Sequence, residues 1–267
     1  MELRSRALAA FNLSDPFEKV RATQSLWQDY AALPLNTYQT FVDLVAPGRP
    51  ALPELVHPQD VPRRSPFTAE GHSALIHSIA HIEFNAINLA LDAVWRFAAL
   101  PADFYKDWLQ VAAEEAKHFN LLAEHLQAEG YRYGDFVAHD GLWTMCQSTR
   151  LDVVARMALV PRTLEARGLD ATPIIQAKLR KVGTPRALAA ISILDTILAE
   201  EVGHVATGNR WYHWLCQRDA LDPEETYRFA AAQHKAPRLK PPFNLLARRL
   251  AGFSEVEIAN LPKNAST

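Results

Sequence analysis

Cysteine is scarce in this 267-residue chain: Cys146 and Cys216 are the only two, and they lie far apart. Two such thiols exclude a disulfide framework, a cysteine-rich zinc site and a rubredoxin-type iron site, and they suit a reducing cytoplasm. Charge of one sign is not in excess either. With 28 basic and 30 acidic residues the formal net charge is −2, so no global field favours nucleic acid or an anionic membrane as partner. The opening stretch MELRSRALAAFNLSDPFEK lacks the unbroken apolar core of a secretory signal. No run approaches the ~18 apolar residues that cross a bilayer. The expectation is a soluble, cytoplasmic protein. The 49% hydrophobic content is ordinary for a globular chain long enough to bury a sizeable core.

Proline and glycine are unevenly spread. Residues 47–66 carry Pro47, Pro50, Pro53, Pro58, Pro62 and Pro66, which dictates an extended arm rather than a helix or a central strand. From about 69 to 99 both residues nearly vanish, and alanine, leucine and isoleucine recur at helical spacing. Leu100-Pro101 breaks this helix. A second runs to about Glu129, where Gly130 stops it. Residues 130–148, GYRYGDFVAHDGLWTMCQS, read as a long aromatic-rich connection. A third helix is expected over 149–167, ending at Gly168. A short helix should follow Thr172-Pro173, and Gly183-Thr184-Pro185 should start a fourth long helix reaching about Arg218. No segment reads convincingly as a strand. The expected fold is all-α: a four-helix bundle over 67–220 with one long crossover, N-terminal helices and the Pro-rich arm in 1–66, and a helix and basic tail in 221–267.

Two short stretches stand out. Residues 113–118 read A-E-E-A-K-H and residues 199–204 read A-E-E-V-G-H. A lone Glu-x-x-His means little: Glu54 and His57 share the spacing inside the Pro-rich arm. Register makes the other two copies different. Around the first turn, near residue 100, Glu83 lies 17 residues before, and Glu115 and His118 lie 15 and 18 after. Around Gly183, Glu165 lies 18 residues before, and Glu201 and His204 lie 18 and 21 after. At ~1.5 Å of rise per residue, each set falls at one height to within a helical turn. Glu and His three apart share a helix face. Four glutamates and two histidines on four helices form the ligand set of dinuclear carboxylate proteins, and four carboxylates balance two divalent ions. Without a cation they would repel and be costly to bury. Pro161, four residues before Glu165, makes the third helix irregular at its ligand. Glu114 and Glu200 precede the ligand glutamates and read either as surface residues or as groups that orient the facing histidines. His77 and His81 lie roughly 160–240° around the helix from Glu83 and read as packing groups or parts of another site. Trp108 reads as core packing. Lys235, Arg238, Lys240, Arg248 and Arg249 read as a solvated basic face, with a local site for a phosphate-bearing partner as the alternative.

The stretches AHIEFNAINLALDAVWRF, VAAEEAKHF, YGDFVAHDGLW, RMALVPRTLEARGLD, EEVGHVATGNRW and PPFNLLARRLAGF resemble the bacterial ferritin-like family known as domain of unknown function 455. The resemblance covers nearly the whole chain. It implies a ferritin-like four-helix bundle with a dinuclear metal site at Glu83, Glu115, His118, Glu165, Glu201 and His204. The same ligand pattern is shared more distantly with di-iron hydroxylases, among them one acting on methylthio-isopentenyl-adenosine in transfer RNA. It names no substrate.

Three functions remain open on the sequence: a di-iron oxidase or hydroxylase, an iron-handling ferroxidase without organic substrate, and a dimanganese catalase-type protein. The cofactor expected is two iron ions, with manganese or mixed metals as alternatives. The partners expected are dioxygen or peroxide, a small substrate, an electron donor and a second copy of the chain in a homodimer. No membrane is expected, nor nucleic acid, with transfer RNA the one exception. The arm and the 130–148 connection are the segments expected to form a substrate pocket.

Overall fold

The computed structural model describes residues 1–262; the last five residues of the expected 221–267 segment lie outside it. Among the described residues the chain is all-helical, with no strand and a single isolated bridge, Leu55 to Ala138. It divides into two compact units, residues 1–147 with 182–193, and residues 148–181 with 194 onward.

The first unit is built around a helical hairpin. Helix α3 (Ala69–Arg96) starts at Thr68, whose hydroxyl accepts from the Gly71 amide at 3.1 Å. Helix α4 (Ala102–Ala128) ends where Gly130 turns left-handed at φ 81°, with the Tyr131 amide closing back on the Leu126 carbonyl at 3.0 Å, the usual way glycine stops a helix. The short link between them makes the two antiparallel. By length and composition α3 could cross a membrane, but 78% of its most apolar stretch is buried inside the protein, so that character serves the core.

The N-terminal helices α1 (Leu3–Phe11) and α2 (Pro16–Asp29) hold the hairpin through two buried basic side chains. Arg4 donates to the carbonyls of Val94 (3.1 Å) and Trp95 (2.8 Å) and to those of Asn36, Thr37 and Gln39. It thereby satisfies end carbonyls of α3 that lack helical partners. Lys19 donates to the carbonyls of Phe11 (2.8 Å) and Gly48 (2.9 Å) and to the Asn88 amide oxygen, tying α1, the arm and α3 together. Asp15 and Pro16 separate the two helices as the N-cap and first residue of α2. The arm is extended, as its prolines require, and its one bridge pairs Val56 and Glu54 with Ala138. The connection after α4 is partly helical: α5 (Gly141–Ser148) follows its turns.

The second unit corrects the sequence reading of the third helix. Helix α6 (Val153–Leu159) passes into a π-helical turn, Val160–Glu165, and then into α7 (Ala166–Val182) without a stop. Pro161 supplies no amide, and the wider turn absorbs the gap. The Thr163 hydroxyl donates to the Ala158 carbonyl at 2.7 Å. Gly168 is not left-handed, so it does not end a helix, and Pro173 lies inside α7 rather than starting a new one. Helix α8 (Pro185–Arg218) begins where expected. Three short helices follow: α9 (Pro223–Gln233), α10 (Leu245–Leu250) and α11 (Glu255–Ala259). The basic tail is not wholly solvated. Arg248 is 1% exposed, bonded to Asp170 through Nε (3.1 Å) and Nη2 (2.5 Å) and flanked by the Phe243 and Phe253 rings. Around it Ala247 and Ala251 pack on Ala166, Leu169 and Val205.

Candidate metal centre

Burial separates the three Glu-x-x-His copies. Glu54 and His57 are exposed on the arm, whereas Glu115, His118, Glu201 and His204 are all buried. In the hairpin the equal distances from the turn translate into contact. His118 Nδ1 lies 3.2 Å from Glu83 Oε2 and 3.4 Å from Glu115 Oε2. Burial first, and then the Glu115 charge, push the Glu83 carboxyl up to about 8. Burial alone would lower His118; the hydrogen bonds and charges of Glu115 and Glu83 carry it up to about 11 instead. Two carboxylates crowded in a desolvated place demand positive charge, which a proton or a metal ion supplies.

On α8, His204 Nδ1 lies 3.3 Å from Glu201 Oε1. Glu165, 8% exposed, ends the π-helical turn. That turn is anchored to α8 one helical turn beyond His204. A Cβ on Gly208 would sit 2.5 Å from Pro161 Cβ and 2.6 Å from its Cγ, so only glycine permits the approach. Arg162 Nε donates to Asn209 Oδ1 at 3.1 Å, and Asn209 Nδ2 donates to the Ala251 carbonyl at 2.7 Å. Pro161 and its compensating glycine thus fix the backbone on which Glu165 stands.

Glu115 with His118 on α4, and Glu201 with His204 on α8, are two buried pairs of ligand-type side chains, each of which could contribute to holding a metal ion. Imidazole and carboxylate together suit iron, manganese or zinc rather than the softer ions thiolates select. Glu114 and Glu200 are half-buried, and Glu114 Oε1 accepts from Gln110 Nε2 at 2.9 Å. Trp108 is buried against Phe104.

His77 and His81 belong to a neighbouring feature. His77 Nε2 accepts from the Gly134 amide at 2.9 Å, and its ring stacks on Tyr133. His81 Nδ1 lies 2.9 Å from the Tyr133 hydroxyl and its Nε2 lies 3.1 Å from Asn85 Nδ2. Beside them a cavity of about 470 Å³ is lined by the arm from Arg49 to Leu55, by His81 and Phe84 of α3, and by Tyr133. The arm and the connection do therefore enclose space with α3. Tyr133 itself went unremarked in the sequence, because nothing in YRYGDF marks which tyrosine turns inward. Its ring touches Phe84 and Phe119, the residues next to Glu83 and His118.

Comparison with known proteins agrees with the sequence resemblance. The family described as "Protein of unknown function (DUF455)" matches residues 12–259, and the chain belongs to that family. It is similar to an "Uncharacterized protein" of Haemophilus influenzae (strain ATCC 51907 / DSM 11121 / KW20 / Rd), 45% identical over 261 residues, covering 93% of this chain and 90% of that protein. No solved structure matches.

Proposed function

We propose that this protein is a dinuclear non-haem metalloprotein of ferritin-like type, an oxygen-activating oxidase or hydroxylase that uses two iron ions and acts on a small organic substrate. The observation that carries this reading is that both helical copies of one motif, Glu115 with His118 and Glu201 with His204, are buried, with Glu83 already bonded to His118. Glu165 completes the proposed set from the π-helical turn, a backbone form often found at functional positions. When bound, a pair of iron ions would supply the electron transfer to dioxygen that no side chain here can perform.

The chain's own groups would do the rest. The two histidines and the flanking carboxylates would fix the ions, and the carboxylates would balance their charge. Burial keeps water from the centre, where charge interactions are strongest. Substrate would enter the cavity under the arm. There Arg49 offers a cation, and Tyr133, held as a neutral phenol far above its usual range by burial, offers a hydroxyl beside His81. The aromatic wall of Phe84, Tyr133 and Phe119 would separate substrate from the ligand residues.

The deciding experiment is elemental analysis of protein purified without chelator or affinity metal, beside a Glu115→Ala/Glu201→Ala variant. The expected result is about two iron ions per chain, lost in the variant. Manganese at that stoichiometry would move the chemistry to peroxide. Absence of metal from both, with the variant folded and equally stable, would refute the centre.

A further inference from the structure

Another group of ligand-type side chains lies on the same hairpin, away from the centre described above. His72 is in the first turns of α3, and His125 and Glu129 close α4. His72 precedes Glu83 by 11 residues, so the two lie ~16 Å apart along the helix. The antiparallel pairing brings the three together: His72 is 28 residues before residue 100, and His125 and Glu129 are 25 and 29 after it. His125 and Glu129, four apart, share one face of α4.

Their donor atoms converge. His72 Nε2 and His125 Nε2 are 3.2 Å apart, Glu129 Oε2 is 3.9 Å from the first, and Glu129 Oε1 is 3.7 Å from the second. In a tetrahedral site with bonds of ~2.0–2.1 Å, neighbouring donors stand ~3.3–3.4 Å apart. The nitrogen pair already has that separation, and the carboxylate would close by ~0.5 Å. Two imidazoles and one carboxylate leave one position for water, the composition of open zinc sites. Ser73 Oγ, at 3.4 Å, and Arg186 Nη1, at 4.0 Å, also approach Glu129 Oε2.

We propose that His72, His125 and Glu129 form a mononuclear site for a divalent transition metal of the zinc class, independent of the dinuclear centre. Arg186 is its internal competitor. In the metal-free protein the guanidinium faces Glu129, and a bound cation would take over that carboxylate. The site would pin the open end of the α3–α4 hairpin, opposite its tight turn.

The test is a Co²⁺ titration of the full chain carrying Glu115→Ala and Glu201→Ala, with the unaltered chain in parallel. Cobalt in a four-coordinate nitrogen and oxygen site absorbs visible light far more strongly than in a six-coordinate one. The expected result in both proteins is one saturable equivalent with the strong four-coordinate band, displaced by Zn²⁺. His125→Gln and, separately, Glu129→Gln should each abolish that equivalent, with helical content unchanged by circular dichroism. Arg186→Gln should lower the Zn²⁺ dissociation constant. Absence of the band, or a band retained in both single variants, would overturn the proposal and leave the two histidines as a hydrogen-bonded pair.

Discussion

Gly208 and Gly203 are five residues apart on α8, and replacing each with alanine should have opposite effects. In a helix interior, glycine to alanine stabilises by roughly 0.5–1 kcal/mol, because alanine loses less backbone freedom on folding. At Gly203 nothing lies within 4 Å of an added Cβ, so Gly203→Ala should gain that amount. At Gly208 the Cβ would come within 2.5 Å of Pro161 Cβ, well inside contact distance. Pro161 cannot rotate away, because its ring is fixed to the backbone, and the π-helical turn is held to α8 by the Arg162–Asn209 bond. The turn must shift, at an overpacking cost of roughly 1–3 kcal/mol. Gly208→Ala should therefore be destabilised by up to about 2 kcal/mol, and the two variants should differ by roughly 1–3 kcal/mol. For a chain of this size each kcal/mol moves the melting temperature by about 2–4 °C. Thermal denaturation of the two variants and the parent measures this directly. If Glu165 is a ligand, Gly208→Ala should also bind less metal than Gly203→Ala. A Gly208→Ala protein as stable as Gly203→Ala would refute the claim that this glycine sets the distance between α8 and the turn bearing Glu165.

Two further outcomes follow from buried basic groups. Burial lowers His77 from 6.5 to about 4, and its Nε2 already accepts the Gly134 N–H, a bond that protonation there would abolish. Between these two values the unfolded chain binds a proton that the folded chain refuses, so the stability tied to His77 is present above pH 6.5 and lost as pH falls towards 4. The span is worth about 3 kcal/mol. Urea midpoints of the parent should drop more steeply across this window than those of His77→Gln, whose amide oxygen can accept the same N–H; parallel slopes would contradict the assignment. At Lys19, burial and then the Arg49 charge draw the amine down to about 6, and three oxygen acceptors surround it. Lys19→Met keeps the length but leaves the Gly48 carbonyl and the Asn88 amide oxygen without this donor. It should lose about 2–4 kcal/mol in urea denaturation, and an unchanged midpoint would show that these bonds contribute nothing net.

The hairpin was legible because its signals are local. A run almost without Gly and Pro, a break at Leu100-Pro101 and a left-handed Gly130 are each visible within a few residues. Gly168 was misread because a helix stop needs positive φ, not glycine as such. Gly130 and Gly183 have φ of 81° and 67°, and no local feature of RGLDATP distinguishes Gly168 from them. The π-helical turn was half legible: Pro161 announced an irregularity, but the residue that accommodates it, Gly208, lies 47 positions later on another helix. Arg248 looked solvated among basic neighbours because its partner, Asp170, is remote in sequence.

The candidate ligands show what a motif can and cannot carry. Glu-x-x-His occurs three times, and the copy at Glu54 is exposed on an arm, so spacing alone has no predictive force. Distance from a helix turn does, because an antiparallel hairpin converts equal counts into equal heights whatever the side chains are. That rule placed Glu83 beside His118 at 3.2 Å. The same count would have found His72, His125 and Glu129, but a search begun from Glu-x-x-His passes over a His followed four residues later by Glu. A sequence search for metal sites in helical proteins is therefore better organised by height from the turn, with every histidine and carboxylate admitted, than by any one spacing. Burial then decides which coincidences matter: a carboxylate in water is satisfied where it stands, whereas one removed from water must find a partner, a proton or an ion.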